Sequence, residues 1–176
     1  MDEHRLHEFI SSKDIQAKVA ELGKQITADY QGKDLHVIGI LKGSVVFMAD
    51  LIRAISLPLE ISFMSVSSYA SGVATSGSVR LLYDIDRPLR GKDVLIVEDI
   101  IDSGYTLAFL LETLGVRQPA SLKVCSLLDK PSRRLASVEI DYKGFEIEDV
   151  FAVGYGMDYA GQYRNLDYVA RVEFIK

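Results

Sequence analysis

The residues best suited to chemistry are concentrated in the segment 98–106. It contains three carboxylates within five positions, at Glu98, Asp99 and Asp102. Neighbouring like charges are unfavourable unless a metal ion or a polyhydroxyl ligand accepts them. We therefore expect this segment to bind a metal ion, a sugar or both.

Small residues follow the carboxylates and favour phosphate binding. Ser103, Gly104 and Thr106 would present hydroxyls and unencumbered N–H groups at the start of a helix, where the backbone attracts anions. A simpler interpretation stays open, in which Asp102 and Ser103 cap that helix and the earlier acids are solvated loop charges. The common nucleotide motifs G-x-x-x-x-G-K and G-x-G-x-x-G are absent from the sequence, so phosphate would have to be held in another way.

A strand and a helix must position this segment. The apolar residues 94–97 predict a buried strand, and residues 106–114 predict a helix that ends at Gly115, a good left-handed cap. Ligands of open α/β sheets bind at the carboxyl ends of the strands. The acids at 98 and 99 would therefore emerge after the strand, where a ligand lies.

Elements of the same kind alternate along most of the chain. Ser11 or Ser12 could cap a helix with one apolar face. That face consists of Ile15, Val19, Leu22 and Ile26. Apolar runs at 35–41 and 59–66, separated by a helical stretch at 45–55, predict a parallel βαβ unit.

The remaining segments complete one α/β domain spanning 1–176. Residues 79–83 and 122–128 predict further strands, and 138–174 predicts short strands and turns. Residues 67–78 are mostly small, hydroxyl-bearing or glycine, which indicates a connector or a mobile functional loop. We predict a mostly parallel sheet flanked by helices, with a small β-rich region appended.

Composition excludes several functions. The net charge of −5 opposes non-specific binding to nucleic acid. No apolar run approaches the roughly 20 residues that span a bilayer, and the polar start is unlike a signal peptide, so we expect a cytoplasmic protein without a membrane partner. Cys125 lies in an apolar run typical of a core thiol, and no histidine has metal-ligand spacing. A small anionic substrate, held by backbone N–H groups and a metal ion, remains compatible with the charge.

The segment 94–107 resembles the phosphoribosyl pyrophosphate motif of the type I phosphoribosyltransferases. That motif is a hydrophobic run, two acids, two hydrophobics, an acid, Ser or Thr, Gly, any residue and Thr. From about Ile10 onward the chain also resembles the hypoxanthine-guanine branch of the family. This second resemblance rests on 41–43, Ser68-Tyr69, 128–134 and 153–159. It implies the type I fold with a β-rich hood, transfer of phosphoribosyl to a purine, and Mg²⁺ as cofactor.

The resemblance assigns roles around the sugar. Glu98 and Asp99 would bind the ribose hydroxyls directly or through Mg²⁺, and Asp102 would face purine N7 as general acid and base. The 5′-phosphate would be held mainly by backbone N–H groups. These belong to Ser103, Gly104, Tyr105 and Thr106.

Pyrophosphate and loop closure involve other segments. By resemblance, Lys42 and Gly43 would contact pyrophosphate, and the peptide bond before Lys42 would be cis. Arg164 would contact pyrophosphate as well. Ser68 and Tyr69 would lie in a loop that closes over the active site and excludes water.

The same resemblance implies a purine pocket. Lys130 would donate to the exocyclic oxygen, Phe151 would stack on the ring, and the backbone of Ala152 would contact the Watson–Crick edge. Asp158 would lie on the purine side and bind a Mg²⁺ carried with pyrophosphate. A charged donor at this place selects 6-oxopurines over adenine, whose amino group would leave the lysine unpaired.

Two alternatives remain open. An RNA-binding regulator on the same fold would need a basic stripe, and the pair Arg133-Arg134 is too short to provide one. A phosphoribosyltransferase for another base is the second; the lysine and phenylalanine oppose adenine but do not separate hypoxanthine, guanine and xanthine. We expect a homodimer or homotetramer that binds only small-molecule substrates.

Overall fold

The computed structural model describes residues 2–68 and 79–175 of the chain. The helices are α1 (Ser12–Asp29), α2 (Val45–Ala54) and α3 (Tyr105–Gly115), with a 3-10 helix at Pro131–Arg133. The strands are β1 (His4–Ile10), β2 (Leu35–Leu41), β3 (Glu60–Ser68), β4 (Val79–Tyr83), β5 (Asp93–Ile101), β6 (Ser121–Asp129), β7 (Tyr142–Glu146), β8 (Ala152–Val153) and β9 (Val169–Phe174).

The larger sheet has six strands in the order β4-β3-β2-β5-β6-β7. All neighbours are parallel except β3 and β4, which are antiparallel at one edge. Alternate residues of β5 serve two cores, because Leu95 and Val97 pack on the side of α1 and α2, whereas Val94 and Ile96 pack on the side of α3. The predicted mostly parallel sheet flanked by helices is therefore confirmed.

The smaller sheet is antiparallel and has the order β1-β9-β8. Its register pairs His4 with Phe174 and Ala152 with Arg171. The two ends of the chain thus meet in one structure, which we call the hood and define as β1, β8, β9 and residues 154–168. The sequence predicted the β-rich region in 138–174, but it gave no sign that β1 belongs to it.

Several local predictions are confirmed. Ser11 caps α1 and its Oγ accepts a hydrogen bond from the Asp14 N–H at 3.1 Å. The apolar face of α1 is buried throughout. β2 and β3 form the predicted parallel pair, connected through α2.

Three boundaries differ from prediction. β5 continues to Ile101, because β6 keeps pairing with it as far as Asp129, so the carboxylates at 98 and 99 lie within the strand. β3 likewise includes 67 and 68, the first residues of the expected loop, and 69–78 are outside the described residues. The left-handed residue after α3 is Gln118, with φ of 58°, and not Gly115, because right-handed turns continue for two residues beyond the helix.

None of the helices in the described part of the chain is long and apolar enough to cross a membrane.

Candidate active site

A cavity of about 490 Å³ opens at the carboxyl ends of β2 and β5 and extends to the hood. Most of the residues that the sequence assigned to a site line it. They are Lys42, Gly43, Glu98, Asp99, Asp102, Ser103, Gly104, Thr106, Ala152, Asp158 and Arg164. Tyr105, Lys130 and Phe151 are not among its lining residues, and Tyr69 lies outside the described part of the chain.

The strand pairing explains why carboxylates gather at this place. β2 pairs with β5 only as far as Val97, and from there β2 continues beside β3 alone. Residues 98–101 therefore keep β6 on one side and lose their neighbour on the other. Glu98 and Asp99 reach the cavity on this side of β5, where β2 no longer pairs with it.

Burial makes both carboxylates costly to ionise. Desolvation, together with the neighbouring Asp99, holds the pKa of Glu98 well above its usual range. Burial raises the pKa of Asp99 to about 6, although the Ile100 N–H donates to its Oδ1 at 2.9 Å and Arg164 contributes a favourable field. Neither carboxylate forms a salt bridge within the described residues. A cation in this cavity would relieve that cost.

Asp102 follows β5 and lies near two arginines. Its side chain is 46% exposed, and the Arg133 Nε lies 3.3 Å from its Oδ1. Arg134 instead donates to the backbone carbonyl of Asp102 at 3.1 Å and pairs with the buried Asp129. This arginine pair received no role at the site from the sequence, although it lies in the segment 128–134 that resembles the hypoxanthine-guanine branch, and that position was the available signal.

Residues 134–136 support the loop that precedes α3. Gly104 has φ of 86°, and a Cβ there would lie 2.9 Å from the Arg134 side chain and 3.0 Å from the Ala136 carbonyl. The N–H groups of Leu135 and Ala136 both donate to the Ser103 carbonyl at 2.9 Å. The loop is therefore held in a fixed shape, and its residues precede the N-terminus of α3, where an anion is favoured. The Tyr105 side chain points outward, with 37% exposure.

The segment after β2 closes the opposite side of the cavity. The peptide between Leu41 and Lys42 is cis, as the resemblance predicted. A side chain at Gly43 would collide with the Asp99 carboxylate, and one at Gly156 would collide with the Gly43 carbonyl oxygen. The hood loop thus contacts the backbone directly at this point, and the contact requires glycine.

The hood contributes a charged pair to the cavity. Arg164 lies 2.5 Å from Asp158 and donates to the Gly156 carbonyl at 2.6 Å. The Gly161 N–H also donates to Asp158, at 2.8 Å. Within the described residues there is no group of three or more His, Cys, Asp or Glu side chains that could hold a metal ion together. A cation here would need part of its coordination from a ligand.

Of the residues assigned to the purine side, Ala152 and Asp158 line the cavity, whereas Lys130 and Phe151 do not. Lys130 is 6% exposed, and its Nζ lies 3.9 Å from the Asp149 carboxylate. Phe151 is 45% exposed and packs edge-on against Tyr159 and Phe174, with ring centroids 5.5 and 5.9 Å apart. Phe151 directly precedes the cavity-lining Ala152, and Lys130 directly follows β6.

Comparison with known proteins agrees with this fold and site. Residues 9–160 match the family model described as phosphoribosyl transferase domain. The chain is 53% identical over 175 residues to a hypoxanthine phosphoribosyltransferase of Haemophilus influenzae, covering 98% of each chain. It is 51% identical over 161 residues to a hypoxanthine-guanine phosphoribosyltransferase of Bacillus subtilis, covering 92% of this chain and 89% of that protein.

A solved structure extends the agreement to three dimensions. A hypoxanthine phosphoribosyltransferase of Staphylococcus aureus superposes with a TM-score of 0.91 at 47% identity, covering 95% of this chain and 91% of that chain. The chain therefore belongs to the phosphoribosyl transferase family of enzymes. The type I fold and the family membership expected from the resemblance are both confirmed.

Proposed function

We propose that this chain is a purine salvage transferase that joins hypoxanthine or guanine to phosphoribosyl pyrophosphate and releases pyrophosphate. The observation that carries the proposal is the single cavity that gathers the carboxylates of β5, the loop before α3 and the hood pair. The names of relatives about half identical over nearly the whole chain support the choice of base. The unit that acts is one domain spanning 1–176.

Glu98 and Asp99, the two carboxylates whose ionisation is disfavoured by desolvation, would bind the sugar. Glu98 and Asp99 accept the ribose hydroxyls or hold a Mg²⁺, which fits their burial without a salt bridge among the described residues. Asp158, which lines the same cavity, would bind a Mg²⁺ carried with pyrophosphate. When bound, Mg²⁺ neutralises charge that develops on the leaving pyrophosphate.

Asp102 is placed to manage the purine proton. As the bond from C1′ to the purine nitrogen forms and the bond to pyrophosphate breaks, positive charge develops on the sugar. The Asp102 carboxylate takes the proton from N7 in the forward direction and returns it in reverse. Its partly exposed position beside the cavity supports this role.

Phosphate binding is divided between the two ends of the cavity. Backbone N–H groups of 103–106 hold the 5′-phosphate, with the side chain of Tyr105 contributing least because it points outward. Lys42, Gly43 and Arg164 contact pyrophosphate. The expectation that Ser68 and Tyr69 help to close the site over its substrates stays a proposal that concerns residues 69–78, outside the described part of the chain.

The base would bind between the hood and the 3-10 helix. Phe151 offers its open face for stacking, and the backbone of Ala152 contacts the Watson–Crick edge. Lys130 donates to the oxygen at C6. Adenine has an amino group there, which would set a donor against this mostly buried ammonium and its Asp149 partner, so adenine is rejected. We further propose that the enzyme works in the cytoplasm as a homodimer or homotetramer.

The decisive test is a steady-state assay with phosphoribosyl pyrophosphate, Mg²⁺ and one base at a time. Hypoxanthine, guanine, xanthine and adenine are compared, and nucleotide and pyrophosphate are both measured. Turnover with hypoxanthine or guanine that stops when Mg²⁺ is chelated and resumes when it is restored is the expected result. A folded protein that binds phosphoribosyl pyrophosphate but converts none of the bases would overturn the proposal in favour of an RNA-binding regulator.

A further inference from the structure

A row of alternating charges runs along the outer edge of the proposed purine pocket. The Asp102 carboxylate lies 3.3 Å from Arg133, Arg133 lies 3.7 Å from Asp149, and Asp149 lies 3.9 Å from Lys130. The four residues come from the end of β5, the 3-10 helix region and the loop between β7 and β8. Arg133 and Asp149 are thus the inner members of a row whose outer members have proposed roles on the base.

The two outer members would contact neighbouring atoms of the purine. N7 and the oxygen at C6 lie on the same edge of a 6-oxopurine, so Asp102 and Lys130 must stand at a matching separation to engage both. The Asp102 side chain is 46% exposed, whereas the Lys130 side chain is only 8% exposed. Of these two side chains, Asp102 is therefore the one that needs a neighbouring residue to fix its position.

The two adjacent arginines constrain different parts of this site. Arg134 fixes the backbone, since it donates to the Asp102 carbonyl and pairs with the buried Asp129. Arg133 contacts the Asp102 side chain and is itself placed by the 3-10 helix, which starts at Pro131 and in which the Arg133 N–H donates to the Lys130 carbonyl at 3.1 Å. The 3-10 helix that directly follows the base-binding Lys130 therefore carries the cation that contacts the carboxylate.

We propose that Arg133 and Asp149 are positioning residues that set the separation of Asp102 and Lys130 and thereby tune recognition of the N7 and C6 edge of the base. This inference rests on the proposed function. Exposed ion pairs contribute little to stability, so the effect of this pair is on geometry rather than on folding. A small displacement of a reacting group is enough to lower a rate substantially.

The first test replaces Arg133 by alanine and by lysine. Arg133→Ala is expected to lower kcat/KM for hypoxanthine by about tenfold, with the KM for phosphoribosyl pyrophosphate unchanged, because only the base side is disturbed. Arg133→Lys restores part of the loss, since it keeps the charge but not the planar donor group. The melting temperature should stay that of the unmodified protein in both variants.

The second test measures whether the two inner residues act as one unit. Asp149→Ala leaves Arg133 free to pair more tightly with Asp102 and so to compete with the purine, which raises the KM for hypoxanthine. In the double variant Arg133→Ala with Asp149→Ala, the losses should be smaller than the sum of the single losses. Simple additivity would show that the two residues act independently and would contradict the positioning pair.

The matched control is Arg117→Ala. Arg117 also pairs with an exposed aspartate, at 2.7 Å, but that aspartate is Asp84, away from the cavity. It should leave every kinetic constant unchanged. If the unmodified protein turns over hypoxanthine and Arg133→Ala does so equally well, or if the variant raises both KM values and melts lower, the positioning role is wrong while the proposed function stands. If the unmodified protein converts no base, both are wrong.

Discussion

The two sheets of this molecule contribute to the cavity in different ways. The six-stranded sheet pairs strands that follow one another in the chain, apart from the junction of β2 with β5, and the carboxyl end of β5 brings Glu98, Asp99 and the loop before α3 to the cavity. The hood is assembled from opposite ends of the chain, since β1 pairs with β9 more than 150 residues away, as in the bridge from His7 to Arg171. The larger sheet thus supplies the charged chemistry, and the hood supplies an aromatic face and one ion pair.

The hood residues Tyr155, Met157 and Val169 pack into the core that the larger sheet forms with α1 and α2. The Tyr155 hydroxyl also donates to Asp50 of α2 at 2.5 Å, and Gly156 lies against the Gly43 backbone. Because the hood and the larger sheet have different proposed roles at the cavity, substitutions in the two regions should have separable effects. Changes in the larger sheet should alter the rate of the chemical step or the stability lost by burying ionised carboxylates. Changes where the hood meets the larger sheet should alter substrate binding.

The largest effect is expected from Asp102→Asn. An amide keeps the shape of the side chain but cannot take the N7 proton, so kcat should fall by about two to four orders of magnitude while KM changes little. Steady-state kinetics with hypoxanthine and saturating phosphoribosyl pyrophosphate measures this. An unchanged kcat would remove Asp102 from the chemistry and leave the carboxylates of β5 with a binding role alone.

A smaller effect, with a definite dependence on pH, is expected from Asp99→Asn. The folded-state pKa of about 6 lies above the unfolded value of about 3.9, so the ionised carboxylate destabilises the folded protein above pH 6. Lowering the pH from 6 to 4 protonates the folded state first and removes that cost. The substitution should therefore stabilise the substrate-free protein by about 1–2 kcal/mol at pH 7.5 and by nothing near pH 4.

Urea unfolding of the substrate-free protein across pH 4–8 measures this difference, and Asp84→Asn is a control of opposite sign. The hydrogen bond from Arg117 lowers the pKa of Asp84, so its ionised form is favoured in the folded state and its loss should destabilise slightly at neutral pH. The stabilised Asp99→Asn protein should also gain less from added Mg²⁺ and phosphoribosyl pyrophosphate. If Asp99→Asn instead destabilised the protein at pH 7.5, the surroundings of the Asp99 carboxylate would already stabilise its charge in the substrate-free protein.

The difference between the two sheets also explains which parts of the structure the sequence predicts. Apolar runs mark β2, β5 and β6 because these strands are buried on both faces, and the acids that follow 97 stand out against them. β1 has no such run, because its sequence HRLHEFI is mostly polar and does not alternate regularly, and its place in a sheet depends on pairing with the distant β9. The pairing of Arg133 with Asp102, 31 residues apart, was equally beyond prediction, since it depends on where the 3-10 helix comes to lie.

The smallest effect, and the one that tests the junction itself, is expected from Tyr155→Phe. Tyr155 is 2% exposed, and its hydroxyl shares the Asp50 carboxylate with Gln16, whose amide lies 3.2 Å from the same oxygen. Loss of the hydroxyl should cost about 1 kcal/mol of stability, which lowers the melting temperature by roughly 2–4 °C. It should also loosen the loop that carries Asp158, and so raise the KM for phosphoribosyl pyrophosphate by up to about fivefold with kcat nearly unchanged.

Tyr142→Phe provides the matched comparison within the larger sheet. Tyr142 is also 2% exposed, and its hydroxyl donates to Asp29 of α1 at 2.8 Å, among residues that do not line the cavity. The two variants remove the same kind of hydrogen bond and should lower the melting temperature by similar amounts. Only Tyr155→Phe should raise the KM, because of these two tyrosines only Tyr155 belongs to the hood. Equal KM values in the two variants would mean that the Gly43–Gly156 contact and the buried apolar packing hold the hood in place without this hydrogen bond.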